Sequence, residues 1–163
     1  MTAAIIILAL VTLQRLAELV IARRNTSELL AQGAREVAPG HYPLIVAVHL
    51  LWLGALWWLA PGRPFSWLLI ELFLLLQIGR LWVLATLGRR WTTRIIILPG
   101  APLVRRGPYR FVDHPNYIIV VAEIAVLPLA FGLWQLALVF SLLNAAVLWI
   151  RIRAEGQALR EAA

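Results

Sequence analysis

Five runs of apolar residues divide the chain, and none shows the polar face of a helix packed on a soluble core. The first covers 3–22 and stops at Arg23-Arg24. The second covers 42–60 and ends at the turn Pro61-Gly62-Arg63-Pro64. The third covers 65–87, ending at Gly88-Arg89-Arg90. The fourth covers 115–131, starting at Pro115, and after Gly132 the fifth covers 133–150. A helix of about 20 apolar residues crosses a bilayer. The pattern therefore predicts an all-α integral membrane bundle of about five transmembrane helices, forming one domain over 1–163. The fourth run is short for a crossing and is expected to form a helical hairpin with the fifth.

The polar connectors carry weaker signals. In 25–40, Ser27-Glu28 is expected to open a short helix, and Pro39-Gly40 closes the segment. The stretch Thr93–Leu98 is rich in β-branched residues and bounded by Pro99-Gly100, which predicts a short strand or hairpin at the membrane surface. Residues 151–163 continue the last run as a polar helix.

Composition excludes several function classes. The chain is 62% hydrophobic with mean hydropathy +0.83, above the usual ~45–50% apolar content of soluble domains. Its 163 residues leave no room for a separate soluble catalytic domain, so any chemistry occurs at or within the membrane. There is no cysteine, which removes disulfides, thiol nucleophiles and thiolate metal sites. No metal is expected, because the three histidines lack ligand spacing: His41 and His49 are eight residues apart and His114 is remote. The first run has no basic leader and contains Arg15 and Glu18, so it is expected to be a retained span rather than a cleaved signal.

The net charge is +7, and all 15 basic residues are arginine. They fall between the apolar runs, a topology signal rather than a nucleic-acid face. With five spans, the connectors holding Arg23, Arg24 and Arg35, and Arg89 to Arg110, share a side with Arg151, Arg153 and Arg160; Arg63 stands alone opposite. The positive-inside rule then puts the N-terminus outside and the arginine-rich segments in the cytosol, as in a bacterial inner membrane.

Polar residues inside spans are costly and are candidates for function. Counted from the arginine-rich helix ends at 1.5 Å per residue, Arg15, His49, Arg80, Glu123 and Asn144 all lie ~10–12 Å deep. Two arrangements fit: structural pairs such as Arg15–Glu18 and Arg80–Glu123, or a polar cavity open to the cytosol. The cavity is favoured, with His49, Arg80, Glu123 and Asn144 lining the lipid head-group end. Glu71 and Gln77 have no assigned role.

The densest polar string is Arg105 to Tyr117. Gly107-Pro108 forces a turn, and Pro115 suits the first position of the fourth helix, placing His114 at its N-cap. Free N–H groups there, with nearby arginines, suit an anion such as a carboxylate. Tyr109 and Tyr117 offer aromatic faces for adenine or a cationic sulfonium. A Tyr/Arg interfacial anchor has the same composition.

Gly107-Pro108-Tyr109-Arg110, His114-Pro115-Asn116-Tyr117 and Arg151-Ile152-Arg153-Ala154-Glu155 together resemble the isoprenylcysteine carboxyl methyltransferase family. Arg23-Arg24-Asn25, Gly33-Ala34-Arg35-Glu36 and His41-Tyr42-Pro43 are similar to a bacterial subgroup associated with O-methylation of alkylpyrone or phenolic lipids. The resemblance implies S-adenosylmethionine (SAM) as cofactor, a lipid-like acceptor, and a cofactor pocket formed by Arg106, Gly107, Tyr109, His114, Pro115, Asn116 and Tyr117. Asp113, Ile119 and Gly156 depart from the family pattern, which weakens a prenylcysteine acceptor more than SAM binding. Asp113 is expected to point toward Arg110 or the sulfonium.

Arg151 and Glu155 are four residues apart, so one helix face carries both and they can pair. The resemblance implies catalytic roles, with Arg151 orienting the acceptor oxygen and Glu155 positioning it or serving as base. The competing readings are an NADPH-dependent membrane reductase of sterol-reductase type and a non-enzymatic membrane scaffold. The first lacks a dinucleotide glycine fingerprint, and the chain has no inverted repeats of a transporter.

Overall fold

In the computed structural model, the backbone is described for residues 2–162 and side chains for residues 3–156. Five helices form the bundle: α1 (Thr2–Ala31), α2 (Tyr42–Leu59), α3 (Trp67–Leu87), α4 (Pro115–Ala130) and α5 (Trp134–Ala162). Four of them are long and apolar enough to cross a membrane, while α4 is shorter. The surface is that of a protein solvated by lipid: Trp58 is 86% exposed and Leu68 74%, whereas Glu123 is 1% exposed.

The short helix is the central one. At ~24 Å, α4 does not need to match the full bilayer, because α3 and α5 flank it. Its Ile124, Leu127 and Pro128 are almost fully buried. The turn at Phe131-Gly132 returns the chain as α5, completing the expected hairpin, and the Ser66 N–H donates to the Ala130 carbonyl at 2.8 Å to join the start of α3 to the end of α4. Pro128 has no N–H, which frees the carbonyl of Ile124 one turn earlier. The Trp52 indole N–H of α2 donates to that carbonyl at 3.2 Å, deep in the core.

One sequence expectation needs correction. Helix α1 does not stop at Arg23, and no separate helix opens at Ser27. It continues to Ala31, ~45 Å in all. Arg24 pairs with Glu28 at 2.9 Å along the exposed side, while Ala22, Asn25 and Leu29 are buried along the other. The helix ends at Gly33, where φ is +90° and the Ala34 N–H returns to the Leu29 carbonyl. Of the two alternatives for Thr93–Leu98, the short strand is present and the local hairpin is not. Its strand β2 (Ile96–Ile97) pairs antiparallel with β1 (Arg35–Glu36) from the first connector, Arg35 opposite Ile97. The apolar side of this ribbon, Val37, Ile95 and Ile97, packs on Ala154 of α5.

Candidate active site

Where α5 emerges past the other helices, its end and the two arginine-rich connectors enclose a cavity of about 910 Å3. That is within the range of small-molecule sites, roughly 300–1,000 Å3. Arg151 and Glu155 both face it, one α5 turn apart and backed by the β-ribbon on Ala154. No direct ion pair joins them. The hydroxyl of Tyr117, from the first turn of α4, stands between: Arg151 Nε donates to it at 2.7 Å, and it donates to Glu155 Oε2 at 2.5 Å. Arg151 Nη1 donates to the Thr93 carbonyl at 2.7 Å, which fixes the guanidinium plane from a third element. At 9% exposure Arg151 is no surface charge.

His114 caps α4 without a side-chain cap bond, and its ring stacks on Tyr117 with centroids 5.0 Å apart and planes 10° from parallel. Asn116 also lines the cavity, and its buried Oδ1 accepts no hydrogen bond. A buried, unsatisfied amide oxygen is uncommon and marks a place for a donor. Tyr109 forms another part of the wall, and burial pushes its hydroxyl up to about 12, with the Glu155 carboxylate adding to the effect. Five arginines line the cavity against two carboxylates, Asp113 and Glu155, so its field is positive. Asp113 is exposed and makes no ion pair among the described residues; Arg110 instead lies over the Phe111 ring, 4.9 Å from its centroid.

The remaining motif residues shape the loop rather than line the cavity. Gly107 has φ +57°, and a Cβ there would come 2.4 Å from Thr86 Oγ1 of α3. Only glycine meets both conditions. Pro115 is buried at the first turn of α4, and Arg106 faces a neighbouring, smaller cavity.

Comparison with known proteins identifies the family. Residues 68–161 match the model of the isoprenylcysteine carboxyl methyltransferase (ICMT) family. The uncharacterized protein YpbQ of Bacillus subtilis (strain 168) is 40% identical over 161 residues, 96% of each chain. No solved structure matches the chain. The chain belongs to the isoprenylcysteine carboxyl methyltransferase family. It is an integral membrane methyltransferase. The family match spans α3, α4 and α5 and so includes Tyr117, Arg151 and Glu155, while α1, α2 and β1 lie before it.

The polar residues within this methyltransferase's spans are arranged differently from those in the cavity. Arg80 of α3 forks onto Glu18 of α1, Nε to Oε1 at 2.5 Å and Nη2 to Oε2 at 2.6 Å, and its Nη1 reaches Glu123 of α4 at 3.0 Å. Arg15 joins the same two carboxylates at 2.9 and 2.8 Å. Gln77 donates to Glu123 Oε1 at 2.8 Å and accepts from Gln14 at 2.8 Å. Both structural pairs considered from sequence are therefore present, merged into one cluster of two arginines and two glutamates. His49 and Asn144 make no hydrogen bond to it: His49 Nδ1 bonds the Ile45 carbonyl at 2.8 Å, and the buried Asn144 Nδ2 has no partner. None of His49, Arg80, Glu123 and Asn144 lines the 910 Å3 cavity.

Sequence reasoning missed Thr93, whose contribution is a backbone carbonyl and leaves no trace in residue type. It also missed the bridging role of the Tyr117 hydroxyl. Glu18 was visible only as a neighbour of Arg15, although a second buried carboxylate was needed to balance Arg80.

Proposed function

We propose that the protein transfers a methyl group from SAM to an oxygen of a lipid-like acceptor, which enters sideways from the bilayer while the cavity faces the cytosol. The observation that carries this reading is the half-buried Arg151–Tyr117–Glu155 relay beside the unpartnered Asn116 Oδ1. The residues fit SAM. Asn116 Oδ1 lacks a donor, which an ammonium, hydroxyl or adenine amino group provides, and the surplus of arginines suits a carboxylate. Stacked His114 and Tyr117, with Tyr109, supply the aromatic wall.

Bound SAM supplies a methyl group already activated on a sulfonium, so the protein mainly orients the partners and excludes water. Arg151, held by Tyr117 and Thr93, directs its remaining N–H groups at the acceptor oxygen. Glu155 uses Oε2 on Tyr117 and keeps Oε1 free of hydrogen bonds among the described residues, available to take the proton of a phenol or enol. A carboxylate acceptor needs no base. Gly107 and Pro115 set the loop and the helix start. Arg80 and Glu123 hold α1, α3 and α4 in register within the bundle.

Calorimetric titration of the purified protein with SAM and with NADPH tests this reading. SAM binding is expected, weakened by Asn116→Ala. NADPH binding without SAM binding supports the reductase and overturns the proposal; binding of neither supports a scaffold. Arg151→Ala or Glu155→Gln retaining full methylation with normal SAM affinity removes the roles given to that pair.

A further inference from the structure

A second cavity of about 470 Å3 lies between the turn Gly88–Arg90 and the segment 102–106. Arg89, Arg90, Arg105 and Arg106 line it, and no carboxylate does so among the described residues. The rest of the wall is largely apolar, with Leu87, Leu103 and Val104. Leu87 is the last residue of α3, so the cavity sits where that helix leaves the hydrocarbon. Leu103 is 64% exposed.

The arginines are not used up by the protein. Arg90 Nη1 donates to the Pro102 carbonyl at 2.6 Å and joins the two rims. Arg106 makes one long contact, 3.5 Å to the Thr86 carbonyl, and Arg89 Nε lies 3.9 Å from Glu28. Most guanidinium donors here are therefore uncommitted. Clustered guanidiniums bind phosphate oxygens well, and an apolar wall at bilayer depth suits a ligand that is part lipid.

We propose that this cavity binds the phosphodiester head group of an anionic phospholipid. Arg89, Arg105 and Arg106 hold the phosphate, Arg90 holds the rims together, and the acyl chains lie along Leu87 and Leu103. The site is distinct from the relay, since Arg151, Tyr117 and Glu155 do not line it. Leu87, Arg90, Pro102, Leu103, Val104 and Arg105 line both cavities, so an occupied head-group site steadies their shared wall. A soluble phosphate has the same anionic chemistry but nothing to place on the apolar wall.

Native mass spectrometry of the protein in neutral detergent, titrated with phosphatidylglycerol, phosphatidylcholine or inorganic phosphate, tests the proposal. Phosphatidylglycerol is expected to bind at least tenfold more tightly than phosphatidylcholine, an anionic preference of roughly 1.4 kcal/mol. Each arginine removed should weaken it about fivefold. Arg89→Gln carries no folding risk, because that side chain is 83% exposed, and Arg89→Gln with Arg106→Gln compounds the loss. Equal binding of the two lipids, or phosphatidylglycerol binding unchanged in both variants, overturns the proposal. Inorganic phosphate displacing phosphatidylglycerol at equal concentration overturns the lipid as the ligand.

Discussion

Two polar regions lie along the same helices, and they are built in opposite ways. Inside the spans, Arg15, Arg80, Glu18 and Glu123 balance two positive charges with two negative ones, and only Arg15 Nε goes without a partner. At the emerging end of α5, arginines outnumber carboxylates, Asn116 Oδ1 has no donor, and the side chains surround a cavity. A low-dielectric interior tolerates ionised groups only when they are paired and hydrogen-bonded. The first region meets that condition within the protein. In the second, Arg90, Arg105 and Arg110 are solvated and Asn116 Oδ1 stays open to a donor, and this difference separates a clamp from a site more clearly than residue type does.

The comparison breaks most visibly if the clamp is cut. Glu123→Ala leaves Arg80 and Arg15 short of a carboxylate in the bundle core, and should cost about 3–5 kcal/mol. Thermal unfolding in detergent is expected to show a large fall; an unchanged midpoint would mean the cluster is not holding the helices. Next is Gly107→Ala, where the positive φ and the clash with Thr86 together cost about 1–3 kcal/mol. It should reduce SAM affinity, and adding Thr86→Ala should recover the part due to the clash. No recovery would place the effect in the backbone alone.

Asn116→Ala sharpens the contrast from the other side. Its Oδ1 makes no bond in the protein, so stability should hold while SAM affinity falls about five- to tenfold. Loss of stability with unchanged affinity would make it another structural residue. The smallest effect concerns Tyr109. Burial raises its hydroxyl from 10 to about 12, so the folded state keeps that proton where the unfolded chain loses it. Below pH 10 both states are protonated; between pH 10 and 12 stability falls as pH rises. Tyr109→Phe should flatten that alkaline decline in a pH series of unfolding midpoints.

The bundle was legible in the apolar runs because lipid demands long apolar helices whatever their packing. The same reasoning misplaced the end of α1, since the bilayer boundary at Arg23 ends the hydrophobic run but not the helix. Arg24 and Glu28 pair along it, and the break comes at Gly33. Depth counting brought Arg15, Arg80 and Glu123 to one level correctly. It could not distinguish side chains that close on each other from side chains that line a space, because that depends on helix rotation. For the same reason it could not foresee that His49 and Asn144 stay out of the cluster. In the site, the His-Pro-Asn-Tyr string marked the start of α4. That Tyr117 bridges Arg151 to Glu155 depends on how α4 and α5 meet.

The most direct test is methyl transfer itself. The protein in nanodiscs made from bacterial lipid extract, supplied with methyl-labelled SAM, should place label in the lipid fraction as an ester or enol or phenol ether. Tyr117→Phe should lower that transfer, and where the product is an ether Glu155→Gln should lower it about a hundredfold or more, with thermal stability largely kept. Label absent from lipid with the wild-type protein, or present equally in both variants, would contradict the account.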